Sequence, residues 1–328
     1  MDLLKFTSKG IYCPPAGVYL DPWKPVQKAL ITHAHSDHAR SGSQEYLAHA
    51  DSEALLKLRL GRNISLQTVQ YGKDVLINGV RFSFHPAGHI VGSAQIRVEY
   101  KGEVWVFSGD YKLEHDGFSA GFEPVKCHTF ISESTFGLPV YRWKPQAEVF
   151  AEMNSWWAQN AREGICSVVV AYSLGKAQRI LKYLDQSIGK VYAHPSIYAM
   201  HQTMRENGFQ LPGDYLFDRN QKKEEYKSSL LLIPPAADGG EWMNKLGDYE
   251  QAFASGWMQV RGTRRRNNAS KGFVLSDHAD WDGLNAAVKL TEAERVIVTH
   301  GYTASFAQWL CEKGIRAEVA KTDYSSEG

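Results

Sequence analysis

The chain has four cysteines, Cys13, Cys127, Cys166 and Cys311, and no two of them form a C-x-x-C pair. That spacing excludes a cysteine zinc knuckle and argues against a disulfide framework; scattered thiols fit a reducing compartment. An excess of one charge is also missing: 37 Lys and Arg against 36 Asp and Glu leave a formal net charge of +1. A globally basic coat for nucleic acid is therefore excluded, and any polyanion contact must come from a local patch. No apolar run approaches the length of a membrane span, and Met1–Lys5 lacks a charged-then-apolar leader pattern. Internal repeats, low-complexity tracts and a complete G-x-x-x-x-G-K-[ST] phosphate loop are absent as well. A soluble, cytoplasmic protein with no membrane partner is expected. At 328 residues, with 43% hydrophobic and 22% charged residues, it should form one large domain or two entwined ones.

What the chain does have is a dense group of metal-binding residue types. His33-Ala34-His35-Ser36-Asp37-His38 places three imidazoles and one carboxylate within six residues. The group follows Ala29-Leu30-Ile31-Thr32, which reads as a buried strand. The pattern of an apolar run ending in a residue of catalytic type then recurs. Val80–Phe84 leads to His89, Val104–Phe107 to Asp110, Thr129–Ile131 to Glu133, Phe273–Leu275 to His278 and Val296–Thr299 to His300. Side chains at the carboxyl ends of neighbouring strands converge on one sheet edge, where sites in sheet-based folds commonly lie. A layered α/β protein with its site on one rim is predicted.

The middle of the chain carries no such ending. Helical spacing over Ala147–Glu163, a strand at Ser167–Ala171, a helix over Ala177–Leu184 and a strand at Leu230–Ile233 predict a smaller α/β domain with parallel strands. It is read as an insertion, 144–268, into a first domain made of 1–143 and 269–328. A last helix, Ala304–Lys313, stops at Gly314.

Imidazole plus carboxylate suits zinc and similar first-row ions. Seven residues make a two-metal set: His33, His35 and His89 for one ion, Asp37, His38 and His300 for the other, and Asp110 bridging through its two oxygens. Taken singly, His89 or His300 reads as an ordinary core or surface histidine. The neighbouring Gly88 and Gly301 favour the ligand reading by allowing close backbone approach. His85 competes with His89 for the ligand role. Two ions would clamp a phosphodiester and acidify a water, oriented by Asp37. Glu133 and His278 are then left over, and suit a general acid and its carboxylate partner; His278 as a structural hydrogen-bonder is the alternative. For nucleic-acid contact the candidates are Arg261, Arg264, Arg265 and Arg266, which read equally as a solvated loop. Ser173 and Lys176, at a helix start, are weaker candidates.

H-x-H-x-D-H at 33–38, A-G-H at 87–89 and S-G-D at 108–110 resemble motifs II to IV of the metallo-β-lactamase fold. Glu133 in E-S-T-F-G, His278 in S-D-H-A-D and His300 in T-H-G resemble motifs A, B and C of its β-CASP nuclease branch. Tyr12–Gly17, Glu133–Trp143, Trp257–Arg266 and Gly272–Trp281 resemble the bacterial ligase-associated DNA exonucleases within that branch. The resemblance implies an αββα sandwich with an inserted β-CASP α/β domain, and Asp21 supporting the metal ligands from behind. It also implies two Zn²⁺ (or Mn²⁺) and a nuclease cutting DNA, in repair beside a DNA ligase. An RNase of the mRNA 3′-end processing type, or a small-molecule hydrolase of the wider fold, are the alternatives. Asp280 stands where related 5′-exonucleases carry a small hydroxyl residue, and its charge would oppose a 5′-phosphate.

Overall fold

The computed structural model describes residues 2–260 and 271–320, a mixed α/β structure with three sheets among these residues. The chain opens with β1–β6 (Lys5–Thr7, Gly10–Cys13, Val18–Leu20, Lys28–Ile31, Glu45–His49, Leu66–Val69) and, before β6, helix α1 (Glu53–Leu60). These strands form a six-stranded sheet in sequential order, antiparallel up to β3 and parallel beyond it. Strands β7–β11 follow (Val75–Ile77, Val80–Pro86, Ala94–Tyr100, Glu103–Phe107, Thr129–Ser134). Next come α2 (Gln146–Arg162), β12 (Cys166–Val170), α3 (Lys176–Tyr183), β13 (Val191–Ala193), α4 (Pro195–Glu206) and β14 (Tyr215–Leu216). Strands β15 (Leu230–Ile233), β16 (Tyr249–Ala254) and β17 (Lys271–Phe273) complete this stretch. The chain closes with α5 (Trp281–Thr291), β18 (Arg295–Gly301), α6 (Thr303–Glu312) and β19 (Arg316–Val319).

The chain divides into two compact units, one made of residues up to Arg142 and from Asp277 onward, the other of Trp143–Ser276. In the first, β18 and β19 return to pair in parallel beside β11, giving the seven-stranded order β19-β18-β11-β10-β9-β8-β7. Alternation along these strands explains why they read as continuous apolar runs. Trp105, Phe107, Ile131 and Ile297 face a core shared with Leu20, Leu30 and Leu47 of the first sheet. Val106, Phe130, Val296 and Val298 face a second core with Trp281 and Leu284 of α5 and Phe306 and Leu310 of α6. A strand buried on both faces needs apolar residues at every position. Each fully buried aliphatic side chain contributes roughly 1.5–3 kcal/mol. Sheet on sheet, with helices on the outer face of the second, is the resulting layering.

The second unit carries a six-stranded all-parallel sheet, β14-β13-β15-β12-β16-β17. Val149, Met153 and Trp157 of α2 and Ile180 of α3 pack on one core with Val169, Leu230 and Leu232; Val168, Val170, Leu231 and Ile233 line another. One expectation needs correcting. The run before His278 is not an edge of the site-bearing sheet: Ala252, Phe253 and Ala254 of β16 pair with Lys271, Gly272 and Phe273. The second compact unit runs on to Ser276. No helix among the described residues is long and apolar enough to cross a membrane.

Candidate metal centre

Strand β4 stops at Ile31, and the next seven residues turn its edge into a ligand loop. Asp21, just past β3, accepts the Thr32 backbone N–H through Oδ1 at 2.8 Å and the Thr32 hydroxyl through Oδ2. The Thr32 hydroxyl also lies 3.0 Å from His33 Nδ1. Because that hydroxyl gives its proton to the bond with Asp21, it accepts from His33 Nδ1–H, which leaves a lone pair on His33 Nε2. Asp21 Oδ2 also takes the Nδ1–H of His38 at 2.7 Å. His89 reaches the group from the loop after β8, where its Nδ1 sits 2.8 Å from the carbonyl of Asp277. A carbonyl only accepts, so here too Nε2 is left with its lone pair. At Gly88, φ is +75° and a Cβ would collide with the Lys112 carbonyl, so glycine is required at this approach.

The freed nitrogens converge. His33 Nε2 and His89 Nε2 lie 3.1 and 3.0 Å from His35 Nδ1. Asp110, after β10, places Oδ2 at 3.5 Å from His33 Nε2, 3.7 Å from His89 Nε2 and 3.4 Å from His38 Nε2. The donor atoms of His33, His35, His89 and Asp110 all fall within 4.8 Å of one another, as do those of Asp21, His33 and His38. One imidazole proton cannot satisfy three nitrogens and a carboxylate oxygen at once. Lone pairs gathered this closely repel unless a cation sits among them, so the donor set fits a divalent metal. The electrostatics agree. Burial, with neighbouring histidines, holds His33 and His89 well below the ordinary histidine pKa, so both are neutral, as ligands must be. At His38 burial opposes charge, but Asp110 and Asp21 outweigh it and raise the pKa: this position favours a positive charge.

The remaining candidates are arranged more loosely. Asp37 has a side chain 62% exposed, its Oδ2 3.7 Å from His38 Nε2. The His300 ring centre is 5.7 Å from that of His38. His300 is the extra residue where the pairing of β11 with β18 shifts register, its φ at +52°. Such a bulge re-aims a side chain, and Gly301 after it leaves no room for a Cβ against the Ser134 carbonyl. Glu133, at the end of β11 and 1% exposed, holds His278 Nδ1 at 3.0 and 2.9 Å through its two oxygens. It also accepts the Tyr111 N–H at 2.8 Å and the Thr135 hydroxyl. Donor atoms of Asp110, Glu133 and His278 again lie within 4.8 Å of one another. His85 is held between Glu123 at 2.9 Å and Ser83 at 3.0 Å, and is absent from these groups.

Ser173 and Lys176 belong to the second unit. The Ser173 carbonyl accepts from Gln178 at 2.9 Å, and the same glutamine takes the Gly175 N–H at 2.6 Å. Lys176 is only 4% exposed, its ammonium 5.3 Å from the Tyr172 ring centre, which is unlike a surface phosphate contact. Arg261, Arg264, Arg265 and Arg266 lie outside the described residues. Sequence reasoning missed Thr32, Thr135 and the Asp277 carbonyl, which fix the rings and carboxylates. A hydroxyl directly before a ligand histidine was the available signal for Thr32; a backbone carbonyl leaves none.

No family model matches the chain. It is 30% identical over 323 residues, 98% of its length, to a probable DNA ligase of Opitutus terrae, of which it covers 31%. It is 31% identical over 123 residues to the endoribonuclease YSH1 of Saccharomyces cerevisiae, covering 37% of this chain and 16% of that one. With the cleavage and polyadenylation specificity factor subunit 3 of Dictyostelium discoideum it shares 33% over 163 residues, 48% of this chain and 20% of that one. The chain thus spans about a third or less of these relatives' length. In fold it is similar to a protein of unknown function from Enterococcus faecalis, with a TM-score of 0.60 at 11% identity over 88% of this chain and 78% of the other.

Proposed function

We propose that this chain is a two-metal nuclease of the metallo-β-lactamase type with a β-CASP insertion, hydrolysing phosphodiester bonds of DNA from strand ends. The observation that carries the reading is the convergence of His33, His38 and His89 on one oxygen of Asp110, with His35 in the same donor group, beside a histidine–carboxylate pair, His278–Glu133. In this reading His33, His35 and His89 would hold one cation and Asp37, His38 and His300 a second, with Asp110 completing the donor set. Bound there, zinc or in its place manganese would supply an acidified water and offset the charge of the phosphodiester.

The chain's own residues do the rest. Asp37, exposed beside His38, orients the attacking water. His278 presents Nε2 as the acid that protonates the leaving oxygen, since Glu133 anchors its Nδ1–H. Tyr111 N–H and the Thr135 hydroxyl keep that carboxylate in place. Asp21 and Thr32 hold His38 and His33 in the tautomers a metal needs.

The DNA assignment is supported by the match along nearly the whole chain to a segment of a probable DNA ligase, which suggests strand trimming coupled to sealing. The relatives named endoribonuclease YSH1 and cleavage and polyadenylation specificity factor subunit 3 favour a second reading, RNA cleavage at the same centre. The test is cleavage of end-labelled DNA and RNA strands by protein loaded with zinc or with manganese. Progressive shortening of DNA is expected. Cleavage of RNA alone would select the second reading, and cleavage of neither under either loading would overturn both.

A further inference from the structure

A groove of about 260 Å³ opens on the first unit beside the ligand loop, lined among others by Trp23, Pro25, Ser36, Arg40, Arg59 and Leu60. Three segments build it: the connection from β3 to β4, the ligand loop itself, and the last turn of α1. Ser36 stands between His35 and Asp37 in the chain, so the groove shares its wall with the candidate centre. Its chemistry is an aromatic plate with two guanidinium groups. Trp23 is half-buried and its indole N–H donates to the Ser8 carbonyl at 2.9 Å, which fixes the ring. Arg59 donates to the carbonyl of Ala34 and ties the end of α1 to the ligand loop. Exposed Lys24 and Arg62 flank the lining residues in the chain, against one exposed carboxylate, Asp37, next to Ser36. Planar apolar surface beside cations suits a base on a phosphate, the unit of a single strand of nucleic acid.

We propose that this groove is a binding subsite for one nucleotide of a single-stranded substrate, its base stacked on Trp23 and its phosphate held by Arg40 and Arg59. The inference rests on the nuclease reading and adds to it where the strand runs once past the ligand loop. DNA and RNA offer the same base and phosphate, so both are included in the test.

The experiment uses metal-loaded protein with ten-nucleotide phosphorothioate strands, DNA and RNA, carrying 5-iodouracil for photocrosslinking, and anisotropy for affinity. Wild-type protein should give an adduct on the peptide containing Trp23. Trp23→Ala should weaken binding about ten-fold or more. Arg40→Gln should lower the slope of log affinity against log salt by roughly 0.7, the share of one single-strand phosphate. The strand giving the stronger adduct names the sugar the subsite accepts. Adducts elsewhere, with both variants binding like wild type while ordinary strands are still cut, would refute the groove and leave the nuclease reading intact. Strands neither bound nor cut by wild-type protein would overturn both. Should a variant fail to fold by circular dichroism, the wild-type adduct decides alone.

Discussion

The two halves of the candidate centre are built by different means. His33 and His89 are 0% and 1% exposed, their donor nitrogens crowd within 3.1 Å of His35, and each far nitrogen is held by a neighbour. On the other side only His38 is buried and pinned, by Asp21. Asp37 is largely exposed, and His300 is delivered by a strand bulge with its ring 5.7 Å from that of His38. Positions fixed before a ligand arrives lose less freedom on binding. The first half should therefore hold its cation tightly, and the second should close around one at some cost in ordering.

The sharpest way to break that comparison is to remove one ligand from each half. His89→Ala should bring strand cleavage to background and leave a bound metal content that added zinc does not restore, as read by elemental analysis. His300→Ala should keep one cation through dialysis and regain activity as zinc is raised. Equal behaviour of the two variants would erase the distinction. Next in size is His278→Ala, which lies outside both metal-ligand sets. It should lower the rate about 10²–10⁴-fold with both metals retained. A smaller effect is expected from Thr32→Val, since its hydroxyl links Asp21, behind His38, with His33. Metal affinity should drop roughly 10–100-fold at both halves; loss at one half alone would show that the hydroxyl serves only that ligand.

Much of this arrangement was legible because ligand chemistry concentrates at strand ends. The apolar runs before His33, Asp110, Glu133 and His300 are strands of the two sheets of the first unit, as their spacing suggests. The strand before His278 misled, because an apolar tripeptide says nothing of which sheet it joins; pairing with β16 decides that. Lys176 reads in sequence as a cation at a helix start, and tertiary packing buries it, a context that local pattern does not encode. The tautomers of His33 and His89 depend on a hydroxyl and on a carbonyl 188 residues distant, and no periodicity carries that information. The bulge at His300 was equally silent, for a register shift is a property of two strands, not one.

The smallest expected effect belongs to Asp280, near the centre in sequence but outside both halves. Its charge reads as an obstacle to a 5′-phosphate. In the structure that carboxylate has a different role, since Oδ1 accepts the Gly283 N–H at 2.8 Å and caps α5. A helix start carries the equivalent of about half a positive charge, so the carboxylate's field on a nearby phosphate is partly offset where it stands. Asp280→Ala should cost about 1 kcal/mol of stability, measured by denaturant unfolding, and Asp280→Ser only a few tenths, because serine caps as well. With the cap kept and the charge gone, the serine variant isolates electrostatics. Its ratio of rates on 5′-phosphorylated and 5′-hydroxyl strands should shift by less than about three-fold. A ten-fold gain on phosphorylated ends, equal to about 1.4 kcal/mol, would mean that the charge does govern which ends are accepted and that capping is incidental.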